Sequence, residues 1–180
     1  GGNGYDVAIY VDETAATLDL AATSIEAIAA GAGNDLFDGS GAIEQGLNIG
    51  GGDGADTITG GGADDYLTGD RGNDSLNGGD GGDFVSGGEG NDTLDGGLHT
   101  DALYGGSGDD SLIGGEGDDQ LFGGDDSDTL DGGATGPAPD GDDLLDGGAG
   151  DDILRDGHGD DVLRGGDGND TLYFWRGDDL

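Results

Sequence analysis

Gly87-Gly88-Glu89-Gly90-Asn91-Asp92-Thr93-Leu94-Asp95 is one copy of a nine-residue unit, G-G-x-G-x-D-x-U-x, in which U is a large aliphatic. Counted from Gly51, thirteen copies run to Tyr173 with one six-residue interruption. Every copy keeps Asp at the sixth place: Asp56, Asp65, Asp74, Asp83, Asp92, Asp101, Asp110, Asp119, Asp128, Asp143, Asp152, Asp161 and Asp170. Every copy keeps Ile, Val or Leu at the eighth place, from Ile58 to Leu172. A fixed short period with the apolar residue always on one phase is the signature of a stacked repeat fold.

The period dictates the local structure. Glycine belongs where φ is positive or where backbone is crowded, so the first six residues read as a turn. The last three read as a short strand, its central aliphatic on one face and its neighbours on the other. Two units then close one coil, and residues 18 apart stack at about the 4.8 Å strand spacing. Asp56, Asp74, Asp92, Asp110 and Asp128 fall in one column; Asp65, Asp83, Asp101 and Asp119 line the opposite edge. Two carboxylates that close repel by roughly 1 kcal/mol in water and several times more when partly buried. One aliphatic per unit returns only about 2 kcal/mol, against backbone ordering on the order of 10 kcal/mol per nine residues. The metal-free chain is therefore expected to be disordered, and a divalent cation between adjacent turns to tie the coils together.

Composition agrees. Gly accounts for 47 of the 180 residues, and 42 acids face 4 Lys and Arg, for a net charge of −38 at pH 7. Such a charge argues for cations, and against nucleic acid, anionic membranes and acidic polysaccharides as partners. There is no Cys, so neither a disulfide nor thiol chemistry is available. No stretch reaches the roughly 20 apolar residues of a membrane span. No signal peptide is visible, and with a repeat-like start at Gly1-Gly2-Asn3-Gly4-Tyr5-Asp6 and stop at Gly177-Asp178-Asp179-Leu180 the chain is expected to be an internal fragment of a longer protein. With no Ser/His/Asp set and no HExxH, no enzyme activity is expected of this fragment.

The ligands on offer are carboxylate and carbonyl oxygens, a set that suits Ca²⁺. The units resemble the calcium-binding nonapeptide of RTX (repeats-in-toxin) proteins over residues 51–173. The resemblance implies an all-β, right-handed parallel β-roll with Ca²⁺ held between turns. Each ion would take sixth-place Asp side chains from two stacked turns, together with carbonyls of the glycine positions. Gly78, Gly79, Gly81, Gly87, Gly88, Gly90, Gly105 and Gly114 represent those positions here. Sharing ions between units i and i+2 allows at most eleven sites. Ala63, His99 and Asp126 replace the fourth-place glycine, and Asp70 and Asp156 replace glycines of the leading pair. The weakest points are expected at Leu98-His99-Thr100 and at the 134–139 insertion, which carries both prolines, Pro137 and Pro139.

Outside the repeat, residues 1–50 are expected to form irregular opening coils. Val7, Ile9 and Val11 alternate, as do Leu18 and Leu20, and Leu47 and Ile49; Ala21 to Ala30 fits either a short helix or strand and turn; Ala30 to Asp38 is a degenerate repeat. Residues 174–180 read as the start of a cap or a further repeat. Acids outside the sixth place, such as Asp64, Asp109, Asp118 and Glu116, read as solvated surface. Thr57, Ser75, Thr93, Ser111 and Thr129 line one face. Tyr66, Phe84, Tyr104 and Phe122 line the other, a stripe suited to docking other domains of the parent. The resemblance implies a secreted bacterial protein, exported by type I machinery and folding on calcium outside the cell or at its surface. The alternatives are a calcium-stiffened segment of an adhesin or surface-layer protein, and a carbohydrate-binding module of a secreted enzyme such as an alginate epimerase.

Overall fold

A computed structural model describes residues 6–9, 15–19, 25–42, 45–133, 141–175 and 177–180. Gly1 to Tyr5, Val11, Leu20 and the 134–139 insertion lie outside the described residues. Strands β1 to β18 are, in chain order, Asp6–Ile9, Thr17–Asp19, Ile25–Ala29, Leu36–Asp38, Asn48–Asp53, Thr57–Thr59, Tyr66–Arg71, Ser75–Asp80, Phe84–Glu89, Thr93–Leu98, Ala102–Ser107, Ser111–Glu116, Gln120–Asp125, Thr129–Gly133, Leu144–Ala149, Ile153–Arg155, Val162–Asp167 and Thr171–Tyr173. No helix occurs among the described residues; the described part of the ambiguous stretch before Ala30 is strand β3. Odd-numbered strands form one parallel nine-stranded sheet and even-numbered strands the other. The chain thus alternates between two sheets and climbs one coil per two units, as a β-roll.

Register fixes the core. Leu94 lies between Leu76 and Leu112 in one sheet, and Leu103 between Val85 and Leu121 in the other. The eighth-place side chains from Leu67 to Leu154 are at most 1% exposed. Phe37, Ile28, Leu47 and Ile49 extend this apolar file at the N-terminal end, where Ile28 pairs with Ile49 and Phe37 with Ile58. Past the insertion, Leu121 pairs with Leu145 and Leu130 with Leu154. The additional residues are therefore accommodated without a slip of register, which a parallel stack enforces because a one-residue slip would turn the aliphatics outward.

The strands are longer than the side-chain pattern suggests. β10 runs six residues, from Thr93 through the next glycine pair to Leu98. Identical coils in register bond their backbones beyond the stretch where side chains alternate. Gly97, at φ 112°, redirects the chain while still pairing with Gly79 and Gly115. β16 and β18 stop at three residues, before Asp156 and Phe174, where the first-place glycine is replaced.

On the odd-numbered sheet the aromatics form one continuous ladder. Ring centroids are 4.6 Å apart for Tyr66–Phe84, 5.2 Å for Phe84–Tyr104 and 4.9 Å for Tyr104–Phe122. The stack steps from seventh to ninth places between Phe84 and Tyr104, because Phe84 is in register with Ala102 and reaches Tyr104 diagonally.

Leu103→Ala is expected to cost about 2–5 kcal/mol, read as a lower melting temperature in saturating calcium. Leu172→Ala, at a partly buried end of the file, should cost clearly less.

Candidate metal centre

Each three-residue turn between strands commits its backbone donors in a fixed way. In the turn Gly90–Asp92, the Gly90 N–H donates to the Ser107 carbonyl at 2.8 Å and the Asn91 N–H to Asn73 Oδ1 at 3.1 Å. The Asp92 N–H donates to Asp110 Oδ1 at 2.8 Å, and the Thr93 N–H to the Asp74 carbonyl at 2.9 Å. The third of these bonds recurs along both edges. On one edge the N–H groups of Asp35, Asp56, Asp74, Asp92, Asp110, Asp128 and Asp152 each donate to Oδ1 of the next sixth-place Asp, ending on Asp170. On the other edge Leu47 donates to Asp65, Asp65 to Asp83, Asp83 to Asp101, Asp101 to Asp119, Asp119 to Asp143 and Asp143 to Asp161. One oxygen of every such carboxylate therefore grips the coil before it.

The other oxygen has a different setting. Oδ2 of Asp56, Asp74, Asp83, Asp92, Asp101, Asp110, Asp128 and Asp152 is buried and accepts no hydrogen bond. A buried carboxylate oxygen without a donor costs a few kcal/mol, so eight in regular array call for a positive partner. The first-place glycine shows where it belongs. A Cβ built on Gly69 would strike Asp74 Oδ2 and lie 2.7 Å from the Gly87 carbonyl of the following coil. The same convergence occurs at Gly78 with Asp83 Oδ2 and Gly96 O at 2.6 Å. At Gly96 the pair is Asp101 Oδ2 at 2.5 Å and Gly114 O at 2.6 Å. At Gly105 it is Asp110 Oδ2 with Gly123 O at 2.6 Å. The first-place glycine thus brings a carboxylate oxygen and a carbonyl oxygen of the next coil to one place, a donor pair of the kind calcium takes. The donor set is oxygen throughout, so the residues present fit a hard divalent cation.

Burial acts on the same groups. It pushes the carboxyls of Asp83, Asp101, Asp110 and Asp128 up to about 7, and those of Asp56 and Asp74 up to about 6, from 3.8; neighbouring aspartates add to the shift.

The family model for the RTX calcium-binding nonapeptide repeat matches residues 24–42, 51–76, 77–112, 104–135 and 146–180. The chain belongs to the RTX calcium-binding repeat family. No curated protein matches it at a significant level. Within this RTX stack most of the expected residues share one geometry. Gly78, Gly87, Gly105 and Gly114 stand at the cradle position, where a Cβ would meet a sixth-place Asp. Gly79 and Gly88 are second-place residues at φ 111° and 118°, and Gly81 and Gly90 are fourth-place residues at φ 131° and 135°.

Two expected weak points keep this RTX geometry. His99 adopts φ 82° in place of glycine, and Asp101 stays in its column. Asn, Asp and His enter the left-handed region more readily than other non-glycine residues, which also covers Asp70 at 74° and Asp126 at 76°. Asp143, next to the insertion, also keeps its place, accepting from Asp119 N–H at 2.8 Å. The departure falls instead at Ala63. Neither Gly61 nor Ala63 has positive φ, and Asp65 Oδ2 accepts the Gly61 N–H at 2.6 Å. Asp65 is thus closed off by backbone. At the far end, Asp170 is only half-buried.

Three acids outside the expected set join the columns. Asp35 accepts from Ala16 N–H at 2.5 Å and is 4% exposed; the sequence signal was Gly33-Asn34-Asp35 within the degenerate repeat. Asp179 accepts from Asp161 N–H at 3.3 Å, foreshadowed by Gly177-Asp178-Asp179. Asp156 is buried beside Asp161 and Asp179. It occupies a glycine place and accepts the Trp175 N–H at 2.9 Å, a role the repeat pattern does not encode.

Gly87→Ala places a methyl group against Asp92 Oδ2; the calcium midpoint for folding should rise several-fold, as read by calcium titration. Acid should act through the raised carboxyls. Their folded pKa lies above the ordinary 3.8, so protonation favours the metal-free fold; that stability is complete below pH about 4 and is lost as pH rises through 6 to 7. In chelator, circular dichroism should show more β-structure at pH 5 than at pH 7.5.

Proposed function

We propose that this chain is a calcium-gated folding segment of a larger secreted protein, kept unfolded for type I export and stacked into its β-roll by calcium outside the cell. The observation that carries the reading is the two columns of buried, donorless Oδ2 atoms, most of which lie by a first-place glycine together with a glycine carbonyl of the next coil. Without a cation each contact sets two oxygens against each other; with one, the same contact joins two coils. Sites of the extracellular class bind at about 10⁻⁴–10⁻³ M, so cytosolic calcium leaves them empty and millimolar calcium fills them. At tenfold excess over its dissociation constant, each ion adds about 1.4 kcal/mol to the folded state. The role is one of folding and binding rather than catalysis.

Two features weigh against a carbohydrate-binding module. Neighbouring rings in the ladder stack on one another, leaving mainly edges for a sugar to meet. The net charge of −38 opposes a polyanionic glycan.

The test is circular dichroism at neutral pH with chelator and with millimolar calcium. A disordered spectrum that converts to β-structure on adding calcium is the expected result. A chain already folded in chelator would refute the gating role.

A further inference from the structure

The fifth place of the repeat is exposed, and nothing in the metal geometry above gives it a task. Its side chains are nonetheless tied from coil to coil. Asn73 Oδ1 accepts the Asn91 N–H at 3.1 Å, and Asn91 Oδ1 accepts the Asp109 N–H at 3.3 Å. Asp109 Oδ1 then accepts the Ser127 N–H at 3.1 Å, and Ser127 Oγ accepts the Asp151 N–H at 3.3 Å. The opposite edge does the same, with Asp118 Oδ1 accepting the Asp142 N–H at 3.0 Å. Amide, carboxylate and hydroxyl all serve, so the shared requirement is a short side chain ending in an oxygen acceptor.

The direction of these bonds gives them their use. A fifth-place side chain accepts from the following coil, whereas a sixth-place Asp accepts from the preceding one. In one turn, therefore, the Asn91 N–H is anchored to the coil before and the Asp92 N–H to the coil after. These two peptides adjoin the carboxylate whose Oδ2 faces the cradle of Gly87. We propose that the fifth-place side chains are positioning residues for the calcium sites, holding each turn from both sides so that Oδ2 and the glycine carbonyl converge where the ion binds. The inference rests on the calcium reading and adds residues that touch no ion.

The test uses the full chain with Asn91→Ala, Asn91→Ser and, as a second site, Asp109→Ala. Bound calcium per chain is measured by equilibrium dialysis, and the folding midpoint by calcium titration. Asn91→Ala and Asp109→Ala should each raise the midpoint roughly two- to tenfold, the effect of one hydrogen bond, and bind fewer ions at the concentration that saturates the parent chain. Asn91→Ser should restore both, because Ser127 fills the same role. Unchanged midpoint and ion count in both alanine variants would overturn the proposal, as would a lower melting temperature with ion count and midpoint intact, or failure of serine to rescue. A parent chain that bound no calcium would instead sink the calcium reading itself, and this inference with it.

Discussion

The structure depends on a division of labour within a single carboxylate. In most sixth-place aspartates Oδ1 takes a backbone N–H from the coil before, while Oδ2, as at Asp74, Asp83, Asp101 and Asp110, lies by the first-place glycine together with a glycine carbonyl of the coil after. The first contact is an ordinary charge-assisted hydrogen bond. The second joins two acceptors and is unfavourable until a cation or a proton stands between them. Because successive coils repeat this pair, with Asp65 the exception, cohesion of most of the stack is conditional in the same way from step to step.

The glycines follow from that arrangement. The first-place residue lacks a side chain because a Cβ there would strike the sixth-place carboxylate. The second- and fourth-place residues turn the chain at positive φ, yet the ladder of hydrogen bonds between coils continues through the glycine pair. At those places crowding adds to conformation, since a Cβ on Gly79 or Gly90 would strike a carbonyl of the coil before. His99 and Asp126 keep positive φ at the fourth place, whereas Asp156, at the first, coincides with a shortened strand.

Most of the fold could be read from the chain because its period is rigid. The eighth-place aliphatics and sixth-place aspartates lie where a two-unit coil puts them, from Asp56 to Asp161. The length of the strands was not legible, since backbone pairing through glycines leaves no side-chain pattern. The fate of Asp65 was hidden for a related reason: whether Ala63 forces a different turn depends on a single φ angle. Asp64, Asp109 and Asp118 read as solvated acids, and they are exposed, but their Oδ1 atoms hold the Gly82, Ser127 and Asp142 N–H groups. Such bonds to the backbone of another coil become visible only when the coils are superposed.

The one-way sense of the carboxylate ladder makes the two ends of the stack chemically unlike. Toward the N-terminus the ladder finishes on a donor, and any residue with a peptide N–H suffices: Leu47 serves on one edge and Ala16 on the other. Toward the C-terminus each added coil must bring an acceptor for the N–H of the last one. The roll can therefore begin on nearly any sequence, but it can be extended only by a segment that carries its own aspartate.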